Sequence, residues 1–186
     1  MRSTIDFDMA LSGALERFWD LERYQRIMEE YDKVDVSSDL DFQRNYTYFY
    51  QLRGNSGWMQ KYYGLFERKK QTGNAAFASI ISELFELTGR IEASFSSKML
   101  ATLNPSKPIW DRKVCDVLHL ELTGKTKEEQ LRNAISLYET LENWYAAYLP
   151  TANARENIRR FDKLLPAYTW LSDTKKIDYL LWSINP

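Results

Sequence analysis

The 186-residue chain holds one cysteine, Cys115, and one histidine, His119. A lone cysteine excludes an intramolecular disulfide and suits a reducing compartment, so a cytoplasmic location is expected. One histidine and one cysteine also fall short of a metal site, which needs several ligands at matched spacing; no metal or other cofactor is expected. Charge of one sign is missing as well. Twenty-five basic against 26 acidic residues leave a net charge of −1, which excludes a global positive field that would gather nucleic acid or an anionic membrane. Any polyanion site must be local. No run of about 18 apolar residues occurs, and the opening MRSTIDFDMALSGALERFW is broken by acids before reaching signal-peptide hydrophobicity. Neither membrane insertion nor secretion is expected.

What the chain has in excess is aromatic side chains, 6 Trp, 12 Tyr and 9 Phe, which suit either a core of bulky rings or an aromatic-lined cavity. At this length roughly 70% of the unfolded chain's surface can be buried, so one domain over residues 1–186 is expected. The apolar spacing is helical nearly throughout. Leu15, Phe18, Trp19, Tyr24, Ile27, Met28 and Tyr31 predict a long first helix ending near Lys33. Phe42, Tyr46, Phe49 and Leu52 predict a second that stops at Gly54, and Trp58 to Phe66 continue as a third. After a QTGN turn, Phe77 to Leu87 form an amphipathic helix with Gly89 where a C-terminal cap belongs. Phe95, Met99, Leu100 and Leu103 make the next, stopped by Asn104 and Pro105. Val114, Val117, Leu118 and Leu122 predict a short helix closing at Gly124. Thr126 and Glu129 then have capping-box spacing at the start of a helix that must end by Pro150. Two more follow, one through Ile158, Phe161 and Leu165 and one from near Ser172. The expected fold is all-α, a single orthogonal, bundle-like domain of eight or nine helices, with a two-lobed form about a cleft as its variant.

Most catalytic motifs fail. LTGKTKEE contains the GKT that closes a phosphate-binding loop, but the glycine required five residues earlier is His119 and no strand precedes it. Glu83 and Glu86 share a helix face without the Glu-x-x-His pairs of a carboxylate-bridged metal centre. No glycine-flanked Ser or Cys turn accompanies the histidine, and Cys115 falls among Val114 and Val117 in a packing position. The clusters Arg68, Lys69, Lys70 and Arg155, Arg159, Arg160, Lys163 read as solvated faces.

Two stretches carry candidate sites. In NYTYFYQLRG, residues 45–54, Tyr46, Phe49 and Tyr50 fall on one side of a helix while Tyr48 points elsewhere. That pattern suits a helix covered on several sides, or a stacking surface for a planar ligand flanked by Arg44 and Arg53. In NPSKPIWDRK, residues 104–113, Pro105 and Pro108 stop one helix and set the approach to the next. Asp111 stands at an N-cap position, where its carboxylate can accept from the amide of Lys113 or Val114 for about 1 kcal/mol. Trp110 before it is placed to act as a hydrophobic staple. The same carboxylate, with Lys98, Arg112 and Lys113 close in sequence and Tyr46, Tyr48, Tyr50 and Trp110 as pocket aromatics, is also a candidate catalytic group.

The wider segment LTGRIEASFSSKMLATLNPSKPIWDRKV, residues 87–114, resembles the core of the helix-hairpin-helix DNA glycosylases. There a Leu-Pro-Gly-x-Gly hairpin leads into a helix, a proline-containing loop and an Asp that begins the next helix. Leu87, Gly89 and Asp111 match those positions, while Thr88, Ile91 and Ala93 stand where the family has proline, the second glycine and the lysine of its strand-cleaving members. The resemblance implies duplex DNA as partner, Gly89 in the hairpin that holds a phosphate, and Asp111 as the carboxylate that stabilises positive charge on the sugar of a flipped nucleotide; the local basic residues Lys98, Arg112 and Lys113 are the nucleic-acid-binding candidates beside it. A non-enzymatic alternative stands beside it: a helical module that binds a protein or a small planar ligand through an aromatic groove.

Overall fold

The computed structural model describes residues 7–15, 18–73 and 75–184. Among the described residues ten α-helices run in order: α1 Phe7–Leu15, α2 Phe18–Glu30, α3 Leu40–Tyr50, α4 Ser56–Thr72, α5 Phe77–Thr88, α6 Ala93–Leu103, α7 Arg112–Leu118, α8 Lys127–Tyr148, α9 Ala152–Leu164 and α10 Asp173–Ser183. A single 3-10 turn, Pro166–Tyr168, joins the last two. Among the described residues there is no strand. The fold is all-α, as the periodicity implies, and no described helix is long and apolar enough to cross a membrane.

Local chemistry sets most boundaries. The carboxylate of Asp39 caps α3 through the Phe42 amide at 2.7 Å, the Asn55 side chain caps α4 through the Trp58 amide at 2.9 Å, and Ser172 caps α10 through the Lys175 amide at 3.1 Å. Thr126 and Glu129 form the capping box expected of them, satisfying amides at both ends of the motif. Three boundaries differ from the sequence reading. The chain bends into the left-handed region at Gln51 (φ 51°) and His119 (φ 55°), so α3 and α7 end before Gly54 and Gly124. The helix expected from Leu15 to near Lys33 is described as α2 Phe18–Glu30, and α1 Phe7–Leu15 precedes it. Helix α1 packs on α10, where a Cβ on Gly13 would collide with the Ser183 carbonyl oxygen. Leu15, Phe18 and Trp19 lie in these helices, but their side chains are outside the described residues, as is Asn74 of the QTGN turn.

The buried apolar side chains form one continuous cluster rather than two lobes. Its centre is aromatic, with Tyr46, Tyr62, Tyr63 and Phe66 all fully covered. The phenol hydroxyls are paired inside it: Tyr46 with Tyr62 at 3.2 Å, Tyr62 to the Phe95 carbonyl at 3.0 Å and Tyr63 to the Gln43 carbonyl at 3.0 Å. Buried polar groups thus keep hydrogen bonds while their rings supply the packing. Much of the aromatic excess is core.

Helix α10 is the structural axis of the C-terminal half. It packs on α1, α7 and α9, and its buried positions include the charged Lys175, Lys176 and Asp178. Lys176 pairs with Asp162 of α9 at 2.7 Å. Against α10 lies the proline loop between α6 and α7. Ser172 donates to the Pro105 carbonyl at 2.5 Å, Thr174 to the Ser106 carbonyl at 3.1 Å, and the Ile109 amide donates to Asp178 at 3.0 Å. From the other side Tyr138 of α8 donates to the Pro108 carbonyl at 2.8 Å and Ser97 of α6 accepts from the Trp110 amide at 2.9 Å. Three helices fix the stretch that delivers Asp111.

Candidate functional site

Where α3, α6, α7 and α10 converge, a cavity of about 560 Å³ opens beside the proline loop. That volume falls in the range of about 300–1,000 Å³ typical of small-molecule sites. The C-terminal turn of α3 contributes Thr47, Tyr48, Phe49 and Tyr50, α6 contributes Lys98, and the loop and α7 contribute Ile109, Asp111 and Val114. One face of α10 completes it with Lys175, Asp178, Tyr179 and Trp182, residues at the i, i+3, i+4, i+7 spacing of a single helical stripe.

Asp111 has two roles in this geometry. Its backbone is extended (φ −112°, ψ 149°) and its Oδ1 accepts from the Lys113 amide at 2.9 Å, which makes it the N-cap of α7. The half-buried carboxylate also lines the cavity. A capping interaction engages one oxygen with a single amide, so it leaves acceptor capacity for a ligand.

Lys98 enters from α6 and is 8% exposed. Its Nζ donates to the Tyr50 carbonyl at 3.1 Å, satisfying one of the orphan carbonyls at the C-terminus of α3, where a cation is favoured. Burial brings its amine down to about 8, with Lys175 and Arg53 pushing the same way and Asp111 opposing them. A substantial fraction is therefore neutral amine near physiological pH. Lys175 is also 8% exposed, and burial lowers its affinity for a proton against the pull of Asp178 and Asp111. Its Nζ sits 4.4 Å from the centre of the Tyr24 ring and 5.7 Å from that of Phe49. Asp178 accepts from the Ile109 amide and from the Tyr145 hydroxyl. Desolvation raises it to about 7, because the stabilisation from Lys175 and from its two donors does not offset burial. Asp111 acts on Lys98, Lys175 and Asp178 together, in each case less than burial does.

The expected site residues divide. Asp111, Lys98, Tyr48 and Tyr50 meet in the cavity. Arg112 and Lys113 follow Asp111 in the first turn of α7, Arg112 exposed and Lys113 with its Nζ 4.7 Å from the Trp182 ring centre. Tyr46 does not line the cavity; it is fully buried in the aromatic core. Trp110 is also outside it, stacked parallel to Phe77 at 6.3 Å, so it anchors the loop to α5 instead of stapling α7. Gly89 caps α5 at φ 67° on the exposed surface and is absent from the cavity lining. The hairpin amides are engaged internally, Gly89 to the Phe85 carbonyl at 2.7 Å and Arg90 to the Thr88 hydroxyl at 3.3 Å. Lys127 takes the Gly89 carbonyl at 2.6 Å. Those two amides are not presented to a phosphate.

No protein-family model, curated protein or solved structure matches this chain. The site is therefore read from its own chemistry. Cys115 is buried and its thiol is pushed up to about 12 by desolvation and by the charges of Asp111 and Asp116, which disfavours the thiolate that a nucleophile needs. Among the described residues no cluster of His, Cys, Asp and Glu has the arrangement of a metal site.

Sequence reasoning missed Lys175 and Asp178. A Lys and an Asp three residues apart on a helix ordinarily mark a solvated face. The one available signal was the continuation of that stripe into Tyr179 and Trp182, since two large rings beside two charges do not suit an open surface.

Proposed function

We propose that this chain is a glycosylase-like nucleic-acid protein whose cavity receives a flipped base, with Asp111 as the carboxylate facing the sugar. The observation that carries the reading is the double engagement of Asp111, which caps α7 at the end of a loop held by three helices and opens into the same cavity as Lys98 and the α3 rings. A carboxylate so fixed is preorganised to stabilise an oxocarbenium-like sugar as the glycosidic bond lengthens. Tyr48, 69% exposed with the Arg23 guanidinium 4.1 Å from its ring centre, supplies a stacking face at the mouth. The α5–turn–α6 pair packs together ahead of the loop, in the order that the resemblance implies. Ala93, buried where strand-cleaving relatives hold lysine, removes an amine from that position.

Base release from duplexes carrying damaged or mismatched bases tests the reading. Asn remains a good N-cap, so Asp111→Asn should retain folding stability and lose release by at least about a hundredfold, whereas Asp111→Ala should lose both release and about 1 kcal/mol of stability. Equal release by wild type and Asp111→Asn, on every duplex for which release is seen, would leave Asp111 as a cap only. The exposed Tyr48 favours a second reading, a non-enzymatic module for a planar ligand. It predicts binding that depends on Tyr48 and is indifferent to Asp111.

A further inference from the structure

Lys175 is the group in the cavity that the fold leaves least explained. An ammonium offers three donors and no acceptor, and this one is buried in the first turn of α10 with ring faces as its close contacts. Among the described residues its Nζ has no hydrogen-bond acceptor and no carboxylate at ion-pair distance, and Asp178 and Asp111 attract its charge only from farther off. Lys98, by comparison, holds the Tyr50 carbonyl, and Lys176, the next residue on α10, holds Asp162. Asp178, three residues along, is already occupied by the Ile109 amide and the Tyr145 hydroxyl. A buried cation without an acceptor is costly. Rings stabilise it in part, but they do not take its hydrogen bonds.

We propose that Lys175 is a specificity-determining donor, holding the oxo oxygen of a planar heterocycle that enters between α3 and α10. The assignment rests on the flipped-base reading of the cavity and deepens it to a substrate class, 6-oxo or other keto bases in preference to amino bases. The ring of such a ligand lies along Phe49 and Tyr48, and its carbonyl oxygen meets the Lys175 ammonium beneath them. An exocyclic amine in the same position presents donors to a donor, and the buried ammonium stays unpaired. Sites that depend on a buried hydrogen bond reject ligands lacking the partner far more strongly than apolar pockets reject a missing methylene.

The test uses the full chain and two free bases of one ring system, hypoxanthine with a 6-oxo group and adenine with a 6-amino group, followed by titration calorimetry. Wild type should bind hypoxanthine at least about tenfold more tightly than adenine. Lys175→Met, which keeps length and removes the donor, should bring the two affinities together, and Lys175→Arg, which keeps a donor, should retain a preference of the same sign. If Lys175→Met fails to fold, Lys175→Gln, with a neutral donor, should narrow the ratio. Equal affinities in wild type, a preference unchanged in the variant, or binding of neither base would overturn the assignment. Hypoxanthine binding with the stated preference in a protein that releases no base from any duplex would keep Lys175 as the donor and refute the glycosylase-like reading.

Discussion

Replacing Asp178 by Asn removes a buried charge and little else. Asp178 is 4% exposed and faces the Ile109 amide, the Tyr145 hydroxyl, Lys175 and Asp111. In the variant the amide oxygen can keep the Ile109 N–H, while the amide nitrogen donates to Tyr145, whose hydroxyl rotates to accept. The carboxyl is raised from the usual 3.8 to about 7. A raised acid binds its proton more tightly in the folded state, so its contribution to stability is fully present below the unfolded value and is lost as pH rises through the folded one. The full displacement corresponds to about 4 kcal/mol. Wild-type stability relative to Asp178→Asn should therefore fall by an amount of that order between about pH 4 and pH 8, nearly all of it before the upper limit. Urea denaturation of both proteins across that range, followed by far-ultraviolet circular dichroism, measures it, with equal m values as the check that compactness is unchanged. A stability difference that stays constant across the range, or that moves toward wild type as pH rises, would refute the account of Asp178 as a desolvated carboxyl.

Two further expectations concern the scaffold. Gly13→Ala should destabilise by about 1–3 kcal/mol, because the added methyl meets the Ser183 carbonyl where α1 crosses α10; an unchanged melting temperature would contradict that packing. Cys115, buried with its thiol raised to about 12, should resist a disulfide reagent at neutral pH and react as one equivalent after unfolding. Immediate labelling of the native protein would count against its burial.

Helix starts were legible because capping is local chemistry. Asp111, Thr126 and Ser172 cap the helices they were expected to start. Helix ends were less so. Gln51 and His119 adopt left-handed backbone without glycine's freedom, and only their surroundings hold them there. The site was half legible. Asp111 and Lys98 are near each other in sequence and joined by a recognisable loop, whereas Lys175 and Asp178 arrive from more than sixty residues away on a helix that reads as half solvated. Lys175 is covered by Tyr24 of α2 and Phe49 of α3, and Asp178 by Ile109 of the proline loop and Tyr145 of α8, and no local pattern encodes such distant neighbours. Tyr46 and Tyr48 show the same limit. Two residues apart on α3, one is fully buried and the other 69% exposed, a difference set by which helices cover each side.

The hydrogen bonds that tether the proline loop to α10 link residues 67, 68 and 69 positions apart. Contacts of that span close late, after the entropy of a long loop has been lost. During synthesis Asp111 can cap α7 only once residues 112–118 have left the ribosome. The cavity's α10 wall, and with it Lys175 and Asp178, is missing until residues 172–182 emerge and dock. The cavity is thus closed only by the docking of α10.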